Sequence, residues 1–480
     1  MKKLITLITI LLILNGCISN RDIDSISASQ LIAQSEVSNP KALFFEANSN
    51  SPYKLDIDGF SSPDEFTIRR GLPNFFRRCA SGEDVKIAYM GGSITNADNQ
   101  YRKQSANYIA SMFPDIKVAG INAAWGSTGS DVGSCLTQEY VTAFNPDLVF
   151  IEYAVNGSNA NGIEGIIRKL IEFNPEIDIC MIYTLYRNQC QEYAKGGMPA
   201  NIAKLDRIAE HYNLPSIHMG YWAGILEHEG KLIWAADEDY DGDEIIFSND
   251  GVHPCEAGGN LYASAIARAF NAMKGNRAEV DMKLIEPLSS THMAAAQSLD
   301  LAEFNLETKG WVKSECKMGN PRYEECRMIY NNLYTADENS EPIEFKFEGD
   351  MLGIMDVGSQ DNGAIDIVID GEKYVALEYN QGYKVMKHKY VDVSDPTPSS
   401  VRFNTKCLNE AFTQKSLIAI PLNEYREHKV TISFNTNKLD KASIIAVTEE
   451  EYKAMVAESP KFTDQKFHLG RILINGEIVK

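Results

Sequence analysis

Ser93 closes the run Ala88-Tyr89-Met90-Gly91-Gly92-Ser93, and Asp250-Gly251-Val252-His253-Pro254 follows much later in the chain. A serine hydroxyl is a poor nucleophile at neutral pH, because its proton must leave as the new bond forms. An Asp-x-x-His pair supplies what the serine lacks: an imidazole that takes the proton and a carboxylate that orients the ring. In that reading His253 is the general base and later returns the proton to a departing alkoxide. Asp250 bonds the other ring nitrogen and sets its tautomer, and the three-residue offset lets both side chains converge from one loop. The same residues also admit plainer readings: a Gly-Gly-Ser loop, a loop histidine before Pro254 and an Asp-Gly turn.

Two more blocks lie between these, Asn122-Ala123-Ala124-Trp125-Gly126-Ser127-Thr128-Gly129-Ser130 and Glu152-Tyr153-Ala154-Val155-Asn156. Taken in order, the four blocks resemble those of the SGNH (GDSL-type) hydrolases, in the subgroup that reads Gly-Gly-Ser-Ile-Thr, here Gly91 to Thr95. The resemblance spans about residues 70 to 275. It implies a flavodoxin-like three-layer α/β sandwich with a mostly parallel sheet, and a serine ester hydrolase with Ser93, Asp250 and His253 as catalytic residues. It also implies an oxyanion hole formed by the backbone N–H of Ser93, the backbone N–H of residue 127 and the Asn156 side-chain amide. Such donors are typically worth ~3 kcal/mol each. Asn156 has a second reading, as a cap on the helix that follows.

This chain departs from the family pattern twice. Ser127 stands where glycine is usual, with Gly126 just before it, so the backbone donor survives if Ser127 adopts the required conformation and otherwise falls to Gly126. The third block continues Asn156-Gly157 where Asn-Asp is common, which removes a carboxylate able to fix the loop.

The elements that must position these residues are legible around them. Val85 to Tyr89 reads as a buried strand, and Gly91-Gly92 permits a sharp turn few other residues tolerate. Ile116 to Ile121, Asp147 to Tyr153, Ile177 to Tyr183 and Pro215 to Met219 are short apolar runs. Helix-like segments lie around and between them: Leu72 to Arg78, Asn107 to Phe113, Gly162 to Phe173, Ala200 to Tyr212 and finally Ala257 to Met273. Ile166, Ile167, Leu170 and Ile171 share one buried helical face. This alternation predicts a parallel sheet covered on both faces, with the blocks at the strand ends where open α/β sheets place their sites.

After residue 276 the pattern changes. Ile343 to Phe347, Ile365 to Ile369 and Val430 to Phe434 alternate with period two, and Asp370-Gly371 is a hairpin signal. Residues 277–480 therefore read as an all-β sandwich or jelly roll, serving either structure or sugar binding. Residues 63–276 form the expected hydrolase domain, and 18–62 a tether in which a short element docks near Ala42 to Phe45. Met1-Lys2-Lys3, the apolar Leu4 to Leu14 and Leu14-Asn15-Gly16-Cys17 resemble a bacterial lipoprotein signal, with Cys17 the lipidated residue. An ordinary signal peptide is the alternative. The expected place is outside the cytoplasm, anchored to a membrane through Cys17.

A net charge of −20 disfavours nucleic acid as a partner. Asp237 to Glu244 is the densest acidic stretch, either a solvated loop or a Ca²⁺ site without the glycine and glutamate placement of an EF-hand. No cysteine spacing suggests a metal; Cys316 and Cys326 are near enough in sequence to pair, and buried free thiols are the alternative. The chemistry requires no metal or organic cofactor. Trp125, Trp222 and Trp234 lie in or before the blocks, as sugar-stacking faces or as cover for the sheet. The expected substrate is a short acyl, foremost acetyl, ester of carbohydrate. The rival readings are a lipid or small-molecule acyl esterase or thioesterase, and a glycan-binding lipoprotein with a decayed site.

Overall fold

The computed structural model describes residues 26–35, 43–51, 54–98, 100–236, 240–315, 330, 332–377, 388–408, 412–419 and 425–479. The signal segment, Cys17, Cys316 and Cys326 lie outside these residues, as does part of the acidic stretch. Two compact units divide at Ala294 and Ala295.

The first unit is built on β1 (Phe44–Glu46), β2 (Phe66–Thr67), β3 (Val85–Gly91), β4 (Val118–Ala124), β5 (Leu148–Glu152), β6 (Asp178–Ile182) and β7 (Ser216–Ile217). They form one sheet in the order β1-β4-β3-β5-β6-β7-β2. The five central strands are parallel, and β1 and β2 close the two edges antiparallel. Every residue of β3, β4, β5 and β6 is buried, as a parallel sheet covered on both faces requires. Along the parallel strands the chain order is second, first, third, fourth, fifth, the flavodoxin-like order. Its direction reverses between β3 and β5, and the crevice outside their carboxyl ends is where such sheets bind ligands. A small parallel pair, β8 (Leu232–Ala235) and β9 (Ile245–Ser248), leads into the Asp250–His253 loop.

Helices Pro73–Ala80, Tyr101–Met112, Ala160–Phe173, Ala200–His211 and Glu256–Met273 occupy the expected segments. The tether is more structured than expected. Phe44 to Glu46 add an edge strand to β4, helix Ala28–Ile32 has a Ser27 capping box, and Asp56 N–H donates to Ser264 Oγ. The domain boundary also shifts, because residues 277–294 belong to the first unit. Met282 N–H donates to the Pro175 carbonyl, and the N–H groups of Leu288 and Ser289 donate to the Glu164 carboxylate. Their polarity had hidden this segment, which docks through backbone donors as much as through apolar contact.

The second unit is all-β. Its strands are β10 (Ala296–Leu299), β11 (Val312–Glu315), β12 (Asn332–Ala336), β13 (Ile343–Gly358), β14 (Ala364–Ile369), β15 (Glu372–Ala376), β16 (His388–Val391), β17 (Ser400–Val401), β18 (Phe412–Ala419), β19 (Arg426–Asn435) and β20 (Phe467–Val479). All pair antiparallel in one hydrogen-bonded network around a core including Phe347, Leu352, Ile354, Ile365, Ile367, Val430, Ile432, Ile472 and Ile474. β13 is long enough to serve two neighbours along one edge, pairing with β19 up to Gly349 and with β18 from Met351, and it pairs with β20 along the other. At that bend its register with β20 slips. There Gly476 has φ +151°, and a Cβ on it would stand 2.0 Å from the Glu348 carbonyl oxygen. The Asp370-Gly371 hairpin joins β14 to β15, both residues with positive φ as a two-residue turn demands. The six described cysteines are free thiols.

The edge strand gives a direct test of the N-terminal segment. A Cβ on Gly120 would stand 2.0 Å from Phe45 Cζ. Gly120→Ala should lower the unfolding free energy of the first unit by about 1–3 kcal/mol by overpacking. Urea titration followed by tryptophan fluorescence reads this, because three of the four tryptophans (Trp125, Trp222 and Trp234) lie in that unit.

Candidate active site

Ser93 opens a one-turn helix, Ser93–Asn96, directly after β3. The glycines before it serve space more than turn geometry. Gly92 has φ −93° and Gly91 is not among the positive-φ residues. A Cβ on Gly91 would stand 2.1 Å from Thr95 Oγ1 and 2.8 Å from the Glu152 carbonyl oxygen. On Gly92 it would stand 2.2 Å from Asn156 Oδ1. The expected sharp turn is thus a pair of close approaches: Gly91 makes room for Thr95, and Gly92 for the Asn156 amide.

The structure brings Ser93, His253 and Asp250 together. His253 Nδ1 lies 2.6 Å from Asp250 Oδ2, and Nε2 lies 2.7 Å from Ser93 Oγ. The carboxylate can only accept, so Nδ1 carries the proton and Nε2 is left to accept from the serine hydroxyl. The loop is set by its own hydrogen bonds. Asp250 Oδ1 accepts from the N–H groups of Val252 and His253, and Ser248 Oγ accepts from those of Asp250 and Gly251. Burial pushes the Asp250 carboxyl up, but the bond from His253 and the two backbone N–H groups outweigh it. They hold it well below the usual carboxylate range, so it stays charged beside the imidazole.

The second and third blocks meet beside Ser93. Ser127 has φ +58°, so this serine adopts the left-handed region that glycine more often occupies. The Asn156 amide lies against Gly92. The capping alternative for Asn156 is answered by Asn159, whose Oδ1 accepts from the N–H groups of Asn161 and Gly162 at the start of helix Ala160–Phe173. The carboxylate missing after Asn156 has substitutes. The Ala154 carbonyl accepts from Asn201 Nδ2 at 2.9 Å and from Ser158 Oγ at 2.6 Å, and the Val155 carbonyl accepts from the Tyr186 hydroxyl.

One residue escaped the sequence reading as more than a motif letter. Glu152 ends β5, opposite Gly91 of β3, and is fully buried. Its carboxylate accepts from Thr95 Oγ1 at 3.0 Å, from Thr184 Oγ1 at 2.5 Å and from the Ala154 N–H. Tyr101 OH, 2.6 Å from Thr95 Oγ1, extends the chain. Burial raises the Glu152 pKa against these bonds, and it has no ion-pair partner among the described residues. The available signal was a charge at the end of an otherwise apolar strand.

Trp125 and Trp234 do not form open platforms, and Trp222 is half-buried. Trp125 is buried with its ring edge-on to Tyr140, 4.8 Å between centroids. Trp234 is buried, stacks on Phe247 at 4.2 Å and donates from Nε1 to the Gly251 carbonyl, so it supports the His253 loop from beneath. Trp222 packs on Phe60 and Tyr221. Large apolar rings inside a covered sheet gain more from burial than from waiting at a surface. Among the described residues no group of three or more His, Cys, Asp or Glu side chains is arranged to hold a metal ion.

Glu152→Ala should strand the Thr95, Thr184 and Ala154 donors and cost the first unit about 2–3 kcal/mol. Glu152→Gln, which keeps an acceptor oxygen, should cost less than half of that; tryptophan-detected urea unfolding separates the two.

No protein-family profile and no curated protein sequence matches the chain. Solved structures do share its fold. A two-domain esterase active on acetylated mannans, co-crystallised with mannopentaose, has a TM-score of 0.58 at 20% identity, over 84% of this chain and 94% of that one. A further structure of a two-domain esterase active on acetylated mannans gives 0.54 at 19% identity, over 86% and 99%. The likeness establishes an α/β unit followed by an all-β unit as a fold already seen in solved proteins.

Proposed function

We propose that this chain is a serine ester hydrolase that removes short acyl groups, acetyl foremost, from carbohydrate. The observation that carries this reading is the continuous relay from Asp250 through His253 to Ser93, with links of 2.6 and 2.7 Å, beside the Asn156 amide. The carbohydrate part is supported by the activity of the two-domain esterases of like fold on acetylated mannans. The resemblance of the four blocks to those of the SGNH hydrolases, in the Gly-Gly-Ser-Ile-Thr subgroup, supports the same reading.

In the proposed reaction Ser93 Oγ attacks the ester carbonyl carbon while its proton passes to His253 Nε2. The carbonyl oxygen becomes an oxyanion held by the Ser93 and Ser127 N–H groups and the Asn156 amide. Asp250, kept charged, stabilises the imidazolium. The carbon–alkoxide bond then breaks, the sugar oxygen takes the proton from His253, and an acyl group remains on Ser93. Water, deprotonated by the same imidazole, cleaves the acyl-serine and restores the hydroxyl. The residues present supply every proton transfer. The lipoprotein-like start supports export and anchoring through Cys17 as part of the same proposal.

Acetate release from 4-nitrophenyl acetate and from acetylated mannan or xylan tests the assignment. Ser93→Ala should lower kcat at least ~10³-fold with folding intact, and Asn156→Ala should cost ~10²–10³-fold. Undiminished hydrolysis by Ser93→Ala would end the reading. Across nitrophenyl esters, kcat/KM should fall steeply beyond short acyl chains; a maximum at long chains would reassign the enzyme to lipid esters.

A further inference from the structure

With Trp125 and Trp234 packed away and Trp222 half-buried, the exposed aromatic surface comes from elsewhere. Among the described residues of the first unit, the exposed aromatic side chains are Phe173, Tyr186 and Tyr240. Phe173 ends the helix that leads into β6, which puts it at the opposite edge of the sheet from Ser93. Tyr240 lies on the connection between β8 and β9, with its hydroxyl on Glu244. Tyr186 alone among the three follows the carboxyl end of a central parallel strand, β6, on the edge that carries Ser93 and Asn156.

Its position is rigidly determined. The hydroxyl donates to the carbonyl of Val155, the residue before Asn156. The backbone N–H of Tyr186 donates to Gln189 Oε1. Gln189 Nε2 in turn donates to Asn201 Oδ1, and Asn201 Nδ2 to the Ala154 carbonyl, so the two loops are tied at both 154 and 155. Yet the residue is 41% exposed, although its one side-chain polar atom is engaged. What faces solvent is therefore ring, held still beside an oxyanion donor.

We propose that the Tyr186 ring is the rim platform on which a sugar ring of the ester substrate stacks. This rests on the reading of the site as a carbohydrate esterase. A pyranose presents a face of C–H bonds that complements the negative face of an aromatic ring. A ring ordered before binding loses little freedom when the ligand arrives. The platform acts on the carbohydrate portion, which a nitrophenyl ester lacks, so it discriminates by substrate.

The test compares the full chain with Tyr186→Ala and Tyr186→Phe on 4-nitrophenyl acetate and on acetylated manno-oligosaccharides. Both variants lose the hydroxyl tether to Val155 and share whatever that costs; only Tyr186→Ala loses the ring. The ratio of oligosaccharide to nitrophenyl kcat/KM should fall about tenfold in Tyr186→Ala, through KM, and stay within about twofold of the parent in Tyr186→Phe. Equal ratios in the two variants would overturn the platform while leaving the esterase in place. Calorimetric binding of mannopentaose to Ser93→Ala, with and without Tyr186→Ala, separates the two proposals. Tyr186-dependent binding by a chain whose parent hydrolyses neither ester would keep the platform and remove the esterase. Binding indifferent to Tyr186 would remove the platform.

Discussion

A buried carboxylate, with no cation paired to it among the described residues, sets the terms for the rest of this site. Taking such a group out of water is costly unless its lone pairs find donors. Glu152 finds them on segments that follow three strands: Thr95 after β3, Ala154 after β5 and Thr184 after β6. Each of these segments also carries a residue of the proposed machinery: Ser93, Asn156 and Tyr186. Satisfying one buried group therefore ties together three loops that are far apart in sequence. Gly91 belongs to the same arrangement, because any larger residue would occupy the space through which Thr95 reaches the carboxylate.

The other half of the site is organised differently. The loop from Ser248 to His253 is more exposed, and its shape comes from local bonds among Ser248, Asp250 and the backbone, with Trp234 holding Gly251 from below. Asp250 consequently has two duties. One oxygen fixes the loop through backbone N–H groups, and the other orients His253. A short segment can do this without deep burial because both duties are served within three residues. The nucleophile side depends on the sheet, and the base side depends on its own turn.

At the two positions where the sequence departs from the blocks it resembles, the local structure is well defined. Ser127 takes the left-handed backbone itself. The Asn156-Gly157 loop, lacking a carboxylate, is held by Tyr186, Asn201 and Ser158, residues that share no block with it.

From the sequence alone came the alternation of strands and helices, the change to period-two patterning after residue 276 and the Asp250–His253 pair. These rest on local periodicity and short spacings, which one stretch of chain carries by itself. The sequence also marked Ser93 and Asn156, through their blocks. Only the tertiary structure decided that Phe44 to Glu46 are an edge strand and that 277–294 pack on the first unit, because both depend on donors supplied by distant segments. It likewise decided which aromatic faces water. Trp125 and Trp234 have the same composition signal as a platform, and burial against Tyr140 and Phe247 took them out of reach, while Tyr186, unmarked in sequence, was left at the rim. Exposure is a property of packing, and packing is settled by residues far apart along the chain.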